Sequence, residues 1–153
     1  RSAIQMEGMK SKLSILWIFA TLNWIYCDVI GYMDPELVKG ILAGNANGIQ
    51  LSQTFSLGAG VLMEIPILMV LLSRFLPNRA NRWANILAGI TMTAVQLGSL
   101  FISAPAPVYI FFSVIEIAAT AAIVWYAWKW ATDERALPVA TKVAPPKVLA
   151  THS

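Results

Sequence analysis

The stretch LSILWIFATLNWIYCDVIGYM, residues 13–33, is apolar along most of its length and contains no lysine, arginine or histidine. An α-helix rises about 1.5 Å per residue, so about 20 residues cross the roughly 30 Å hydrocarbon core of a bilayer. The stretch therefore predicts a transmembrane helix. It also carries Asn23 and Asp28, and an ionisable side chain inside a membrane points to a functional site.

Three further stretches have the same character. Residues 54–73, 83–102 and 108–128 are similarly apolar and also lack lysine, arginine and histidine. The 153-residue chain is 58% hydrophobic and 12% charged, whereas soluble domains are about 25% charged. The sequence therefore predicts an all-α fold, a four-transmembrane-helix antiparallel bundle, with the lipid bilayer around it.

The basic residues predict how the bundle is oriented. All 11 lysines and arginines except Lys39 fall in segments that a four-helix bundle places on one side. Because lysine and arginine accumulate in cytoplasmic loops, we expect a plasma-membrane, or inner-membrane, protein with both termini in the cytoplasm. The net charge of +3 is then a topology signal, and we expect no nucleic-acid partner.

The first outer link has the signature of a short helix. Asp34, Pro35 and Glu36 have the order of an N-cap, a first-turn proline and an acid that matches the helix dipole. They predict an outer interfacial helix over about residues 35–43. The following GNANG, residues 44–48, predicts a flexible turn.

The remaining segments complete the predicted organisation. A membrane domain covers residues 12–130, after a cytoplasmic leader of residues 1–11, and we assign no structural role to residues 1–10. The polar, proline-bearing tail of residues 131–153 predicts disorder. The SAPAP link, residues 103–107, is short and stiff, so the last two spans should be close antiparallel neighbours. Aromatic residues near the span ends predict an inner interfacial belt, with some of them expected to pack in the core instead: Trp17, Phe75, Trp83, Trp125, Trp128 and Trp130.

Residues 74–85 contain the link between the second and third spans and are both basic and aromatic. We expect Arg74, Arg79, Arg82 and Trp83 to contact anionic lipid headgroups at the inner surface. Asn81 is expected to cap the start of the third span.

Small residues recur on the span faces at three- and four-residue spacing. Ser56 with Gly60, and Gly89 with Thr93, fit the close helix packing that small residues allow in membranes. The sequence therefore predicts helix contacts at both pairs.

Carboxylates in the spans are harder to explain by packing, since a charged group at the helix centre costs at least about 2.5–3.5 kcal/mol. Measured from the outer span ends, Asp28 lies about 7 Å deep, Gln96 about 9 Å, Glu116 about 12 Å and Glu64 about 15 Å. These four residues predict an outward-facing polar pocket. Asn23 and Tyr26 are its expected hydrogen-bonding neighbours.

No basic residue of the spans is available to neutralise Asp28, Glu64 and Glu116. Three arrangements remain: the acids are protonated, they hold a cation or cationic ligand, or a partner protein supplies a lysine or arginine. Pro66 frees the carbonyl of Leu62 as a further acceptor, or it simply kinks the helix for packing.

We therefore predict a membrane protein that binds a cation or a small amphiphilic, basic ligand, with transport as one use of the site. The alternative is a non-catalytic accessory subunit of a larger membrane complex, and a homo-oligomer fits either case. The single cysteine, Cys27, and the single histidine, His152, leave no disulfide framework and no histidine-based metal site. An enzyme is the third alternative: no nucleophile–base pair or phosphate loop is visible, and carboxylates alone support only an isomerase or a hydrolase. We expect no metal and no cofactor.

Five motifs carry a resemblance to a family: KLSILWIFATLNWIYCDV (12–29), MEIP (63–66), SRFLPNRANRWANILAG (73–89), VYIFFSVIE (108–116) and VWYAWKW (124–130). In order and spacing they resemble a family of small, uncharacterised bacterial membrane proteins with four predicted helices. The resemblance covers about residues 12–132. It implies the four-helix fold, and it brings no activity, because the family has no assigned function.

Overall fold

The structure is a computed structural model that describes residues 2–46, 48–102 and 106–136. Within these residues there are five helices, four of which are long and apolar enough to cross a membrane. The predicted all-α, four-helix fold with a short additional helix is therefore confirmed. The elements are α1 (Ser2–Gly31), α2 (Pro35–Leu42), β1 (Asn45–Ala46), β2 (Ile49–Gln50), α3 (Gln53–Phe75), α4 (Asn78–Ile102) and α5 (Pro107–Ala136).

Contacts between side chains show that the bundle is antiparallel. Ser14 on α1 hydrogen-bonds to the carbonyl of Val70 on α3, and Tyr109 on α5 bonds to Ser99 on α4. Around the bundle the helices follow the order α1, α3, α4, α5, so α1 and α4 face each other across a diagonal. The N-terminus of α1, the α3–α4 link and the C-terminus of α5 share one end, which we call the basic end.

The basic end carries all but one of the described lysines and arginines: Lys10, Lys12, Arg74, Arg79, Arg82, Lys129 and Arg135. The opposite end, which we call the loop end, holds α2, the two strands and Lys39. The loop end is the one predicted to lie outside the cell, and that orientation stays a prediction.

The first helix is longer than the sequence predicted. The supposed leader is helical from Ser2, because residues 2–12 are mostly good helix formers with Gly8 as the one weak position. Met9 packs against the core, and Asn78 donates a hydrogen bond to the sulfur of Met6. The expectation that the leader has no structural role is therefore wrong for its described part.

The last helix also exceeds its prediction, since α5 continues to Ala136 and no helix breaker precedes Pro138. The rest of the predicted disordered tail, residues 137–153, lies outside the described residues. So do residues 103–105 of the SAPAP link.

At the loop end, α2 begins as its sequence predicts. The side chain of Asp34 accepts a hydrogen bond from the backbone N–H of Glu36 at 2.9 Å, and Lys39 pairs with Glu36 at 2.7 Å. The predicted flexible turn of residues 44–48 overlaps a minimal antiparallel hairpin of β1 and β2. Gly44 and Gly48 have φ angles of 76° and 89°, a left-handed conformation that glycine adopts without strain.

Gly40 is required by the close approach of this hairpin to α2. A Cβ atom at Gly40 would lie 2.5 Å from the carbonyl oxygen of Asn45. We therefore expect Gly40→Ala to loosen residues 44–50, seen as faster amide hydrogen exchange there with little change in global unfolding. Gly58→Ala is the matched control, because a Cβ at Gly58 meets nothing within 4 Å. Equal exchange in the two variants would contradict this role of Gly40.

The core departs from the sequence prediction at Trp17. Its side chain is 0% exposed and packs with Leu13, Ala20 and Trp24, so it does not belong to an interfacial belt. Trp130 is also buried, whereas the other four aromatic residues predicted for the belt are exposed. Trp17 is buried because it continues the inward stripe of α1 at three- and four-residue spacing.

The two predicted small-residue contacts have different outcomes. Gly89 lies against α5, where a Cβ would come within 2.6 Å of a Val124 methyl group, and Thr93 bonds to Thr120 at 2.8 Å. The α4–α5 contact is therefore confirmed. Gly60 is exposed with nothing within 4 Å of its Cβ position, so the contact predicted for Ser56 and Gly60 is not made within the described chain.

Candidate functional site

Two polar clusters lie inside the bundle, one nearer each end. Nearer the basic end, Trp17, Ser73, Asn81 and Asn85, which we call the amide cluster, are all 0% exposed. The Asn85 amide oxygen accepts from the Trp17 indole at 2.7 Å and from the Ser73 hydroxyl at 3.2 Å. The Asn85 amide nitrogen donates to the Asn81 side chain at 2.6 Å. Because its members satisfy one another, the amide cluster stabilises the contact of α1, α3 and α4.

Asn81 does not have the predicted capping role at the start of its own helix. The helix α4 already begins at Asn78, and the backbone N–H of Asn81 bonds to the carbonyl of Pro77. The Asn81 side chain instead donates to the carbonyl of Ser73 at 2.6 Å. It therefore satisfies one of the carbonyls that the end of α3 leaves without a helical partner.

Nearer the loop end is the acidic site, which consists of Trp24, Asp28, Gln96, Ser113 and Glu116. The Trp24 indole donates to the Gln96 side chain at 3.2 Å, and the Gln96 amide donates to the Ser113 hydroxyl at 2.7 Å. Glu116 is 1% exposed, and neither of its carboxylate oxygens has a hydrogen-bond partner within the described residues. Asp28 lies close enough to act on the charge of Glu116.

Helical periodicity brings these side chains together. On α1, Trp24 follows Trp17 on the inward stripe and Asp28 lies at its edge. On α5, Ser113, Glu116 and Thr120 recur at three- and four-residue spacing and are all buried, so they share one face. The site is thus built on three packed helices and does not depend on a loop.

Of the predicted site residues, the structure brings Asp28, Gln96 and Glu116 together. Glu64 is exposed on the surface of α3 and does not join them. At about 100° per residue, it lies on the face of α3 opposite the buried Pro66, Met69 and Ser73. The expectation that Glu64 meets Asp28 and Glu116 in one pocket is therefore wrong. Ligand binding by any of these residues stays a prediction.

Asn23 and Tyr26 are not part of the acidic site. The Asn23 amide donates to the carbonyl of Phe19 on its own helix, and Tyr26 is exposed. Both residues turn away because the inward stripe of α1 passes through Trp24 and Cys27, leaving their positions on the flanks of the helix.

The predicted headgroup residues lie at the basic end. Arg74 donates to the hydroxyl of Ser11, and the Arg82 guanidinium lies 5.2 Å from the ring centroid of Trp83. Arg79 and Trp83 are exposed. These positions are compatible with an interfacial surface, and lipid binding by them stays a prediction.

The sequence reasoning missed the amide cluster, and above all Trp17 and Ser73. The available signal was the seven-residue step from Trp17 to Trp24 on α1, which places two large side chains on the same face two turns apart. Within the described residues, no group of three or more histidine, cysteine, aspartate or glutamate side chains is arranged to hold a metal ion. The acidic site offers two carboxylates.

The fold and the buried polar clusters define a small helical protein with the length and hydropathy of a membrane protein. The chain belongs to DUF6326, a family of unknown function, whose model matches residues 4–137. The resemblance of the motifs to a family is thereby confirmed. The match covers nearly the full length of α1 and α5. No curated protein and no solved structure matches the chain significantly.

Proposed function

We propose that the acidic site exchanges a proton for a small amphiphilic cation within the plasma membrane. The observation that carries the proposal is the Glu116 carboxyl group, which is 1% exposed and has no hydrogen-bond partner within the described residues. A buried carboxylate in this condition is strongly unfavourable unless a positive charge or a proton neutralises it.

The charges of the described chain do not supply that neutralisation. The described lysines and arginines lie toward the two ends of the bundle, and the one ion pair among them joins Lys39 to Glu36. Asp28 adds a second negative charge that acts on Glu116, and two like charges oppose each other's ionisation. A proton therefore neutralises Glu116 while the site is closed. A cation replaces this proton when the site opens.

The surroundings of Glu116 favour an organic cation over a metal ion. Metal ions such as calcium need six to eight oxygen ligands, and the acidic site offers two carboxylates and few other oxygens. Trp24 and Tyr109 lie near Glu116, and aromatic faces attract ammonium groups. The site therefore suits a lipophilic amine or quaternary ammonium ion.

A site that holds either a proton or a cation, and that opens to each side of the membrane in turn, couples the movement of the two across the membrane. Asp28 is exposed while its neighbour Glu116 is buried, so we place the entrance on the Asp28 side, toward the loop end. With the basic end in the cytoplasm, that entrance faces outward. Transport in this sense is part of the proposal.

The test is binding of tetraphenylphosphonium to the purified chain in nanodiscs, measured by calorimetry at pH 6 and pH 8. We expect tighter binding at pH 8, with uptake of the cation releasing protons, because the two compete for the same carboxyl group. Glu116→Gln should weaken binding more than about 30-fold, the loss of a buried charge contact worth about 2 kcal/mol or more.

Glu36→Gln is the control, because Glu36 is exposed on α2 and already pairs with Lys39. It should bind the cation as the unmodified chain does. Equal binding by Glu116→Gln and the unmodified chain would refute the proposed site.

The alternative function, an accessory subunit of a larger membrane complex, draws on one observation. Glu64 is exposed near the middle of α3, where contact of a carboxylate with lipid is costly. A lysine or arginine of another subunit would neutralise this carboxylate. Purification in mild detergent distinguishes the two functions. A stoichiometric partner that is lost in Glu64→Gln would favour the subunit, and a chain that purifies alone and binds the cation would exclude it.

A further inference from the structure

We propose that the outward face of α3 is a dimer interface, on which a second copy of the chain pairs its Glu64 with the Glu64 of the first. The inference goes beyond the proposed cation site and does not depend on it, because Glu64 takes no part in the acidic site. It gives a partner to a carboxyl group that a single copy leaves exposed in the middle of a membrane-length helix.

The face of α3 that carries Glu64 points away from the rest of the bundle. The fully buried residues of α3 are Pro66, Met69 and Ser73, and at about 100° per residue Glu64 lies on the opposite side of the helix. Of the four spans, α3 also buries the smallest fraction of its residues. Its outward face is therefore available to another membrane helix.

One seam runs along this outward face. It consists of Leu57, Gly60, Glu64, Ile67 and Leu71, all of which are exposed. Their alternating spacing of three and four residues is that of the a and d positions of a coiled coil, in which two helices pack along their length. A polar residue at a single a position sets the register of such a pair, and Glu64 is the central residue of the 23-residue helix.

Gly60 allows a second helix to approach the seam closely. It is exposed, and a Cβ atom there meets nothing within 4 Å, so packing within one copy gives no reason for a glycine. Small residues in membrane helices let the backbones of two helices come together. Gly60 lies about one turn from Glu64, so the closest approach falls beside the carboxyl group.

The distribution of charge favours a second copy in the same orientation. The described lysines and arginines lie at the basic end, with the exception of Lys39, and such an asymmetry orients every copy of a membrane protein in the same way. Two copies of α3 then run parallel. A two-fold axis along the membrane normal places each residue of the seam opposite itself, so Glu64 meets Glu64 at the same depth.

A carboxyl group on a lipid-facing surface is satisfied by a copy of itself. In hydrocarbon the protonated form is far less costly than the charged form. A protonated carboxyl group has both a donor and an acceptor, so two of them bond to each other reciprocally. The pair needs no lysine or arginine, and the apolar spans contain neither. Two exposed polar groups thus become the hydrogen-bonded centre of one interface.

Counting of photobleaching steps in single liposomes tests whether the purified chain dimerises. All variants carry Cys27→Ser, because Cys27 is the single cysteine, and one dye on Ser153→Cys, the last residue. The protein is diluted with lipid, and the fraction of liposomes with two steps gives the association constant. No other protein is present, so we expect two-step liposomes from association between copies alone.

Substitutions on α3 test the carboxyl pair and the close approach. Gly60→Leu and Glu64→Leu should each weaken association about tenfold or more, because the first separates the helices and the second removes the pair. Glu64→Gln should stay within about threefold, since two amides also bond to each other. Gly58→Leu is the matched control and should associate normally. Gly58 is exposed with nothing within 4 Å of its Cβ position, but it lies about 200° around the helix from Gly60.

Disulfide crosslinking locates the interface. Leu57→Cys and Leu71→Cys, each in the Cys27→Ser chain, should crosslink between copies on oxidation, because both lie on the seam. Leu87→Cys is the control, since Leu87 is equally exposed to the membrane but lies on α4, outside the seam.

Three results would overturn the proposal. The first is a chain that stays monomeric at every protein-to-lipid ratio, since Glu64 would then face lipid or a different protein. The second is a dimer that forms equally well in Gly60→Leu and Glu64→Leu, and the third is a dimer that crosslinks at Leu87 and not on the seam. The assay contains no added cation, so each of these results leaves the proposed cation site intact.

Discussion

Asn85→Ala is expected to lower the free energy of unfolding by about 3 kcal/mol, because it removes the acceptor at the centre of the amide cluster. The indole of Trp17 and the hydroxyl of Ser73 both donate to the Asn85 amide oxygen. Both donors are 0% exposed, so no bulk water replaces the lost partner. Unfolding in mixed micelles with increasing sodium dodecyl sulfate, followed by circular dichroism, measures the change.

Asn23→Ala is the matched control for Asn85→Ala. It replaces the same residue type in a span, but the Asn23 amide bonds to a carbonyl of its own helix. We expect a change in the free energy of unfolding below about 1 kcal/mol. A similar loss in the two variants would show that the amide cluster contributes no more than a local hydrogen bond.

Gly89→Leu should separate α4 from α5 and destabilise the bundle by about 3 kcal/mol, the upper part of the range for overpacked cores. Even a Cβ atom at Gly89 would come within 2.6 Å of a Val124 methyl group. The larger side chain would also disturb the bond between Thr93 and Thr120, which lies one turn away. The same detergent titration reports the loss.

Gly98→Leu controls for the helix propensity of leucine, which favours both substitutions by about 1 kcal/mol. Gly98 is exposed on the same helix, and a Cβ there meets nothing within 4 Å. The difference between the two variants therefore measures the α4–α5 contact alone. If Gly89→Leu unfolds no more easily than Gly98→Leu, the two helices are not packed as closely as the structure shows.

The four-helix fold was predictable because hydropathy and length are properties of the sequence itself. The four spans need no knowledge of the partner helices, and each overlaps one of the long helices. Depth was predictable for the same reason. Counting residues from the span ends placed Asp28, Gln96 and Glu116 at similar levels, and the structure brings these three together.

The direction in which a side chain points was less predictable than its depth. In α3, the four-residue spacing of Ser56, Gly60 and Glu64 and the depth of Glu64 both predicted that this face lies inward. The structure buries Pro66, Met69 and Ser73 instead. Asn23 was expected to hydrogen-bond with the acids, although each residue turns a helix by about 100° and Asn23 lies on the flank of α1. The burial of Trp17 was misread because aromatic residues near span ends are usually interfacial.

The place of Trp24 between Gln96 and Glu116 has an optical consequence. Indole emission responds to nearby charge, so the neutral and ionised forms of Glu116 should give this tryptophan different emission maxima. Subtracting the emission spectrum of Trp24→Phe from that of the intact chain leaves the signal of Trp24 and removes that of the other five tryptophans. The protein thus contains its own fluorescent reporter of the acid, and it needs no added dye.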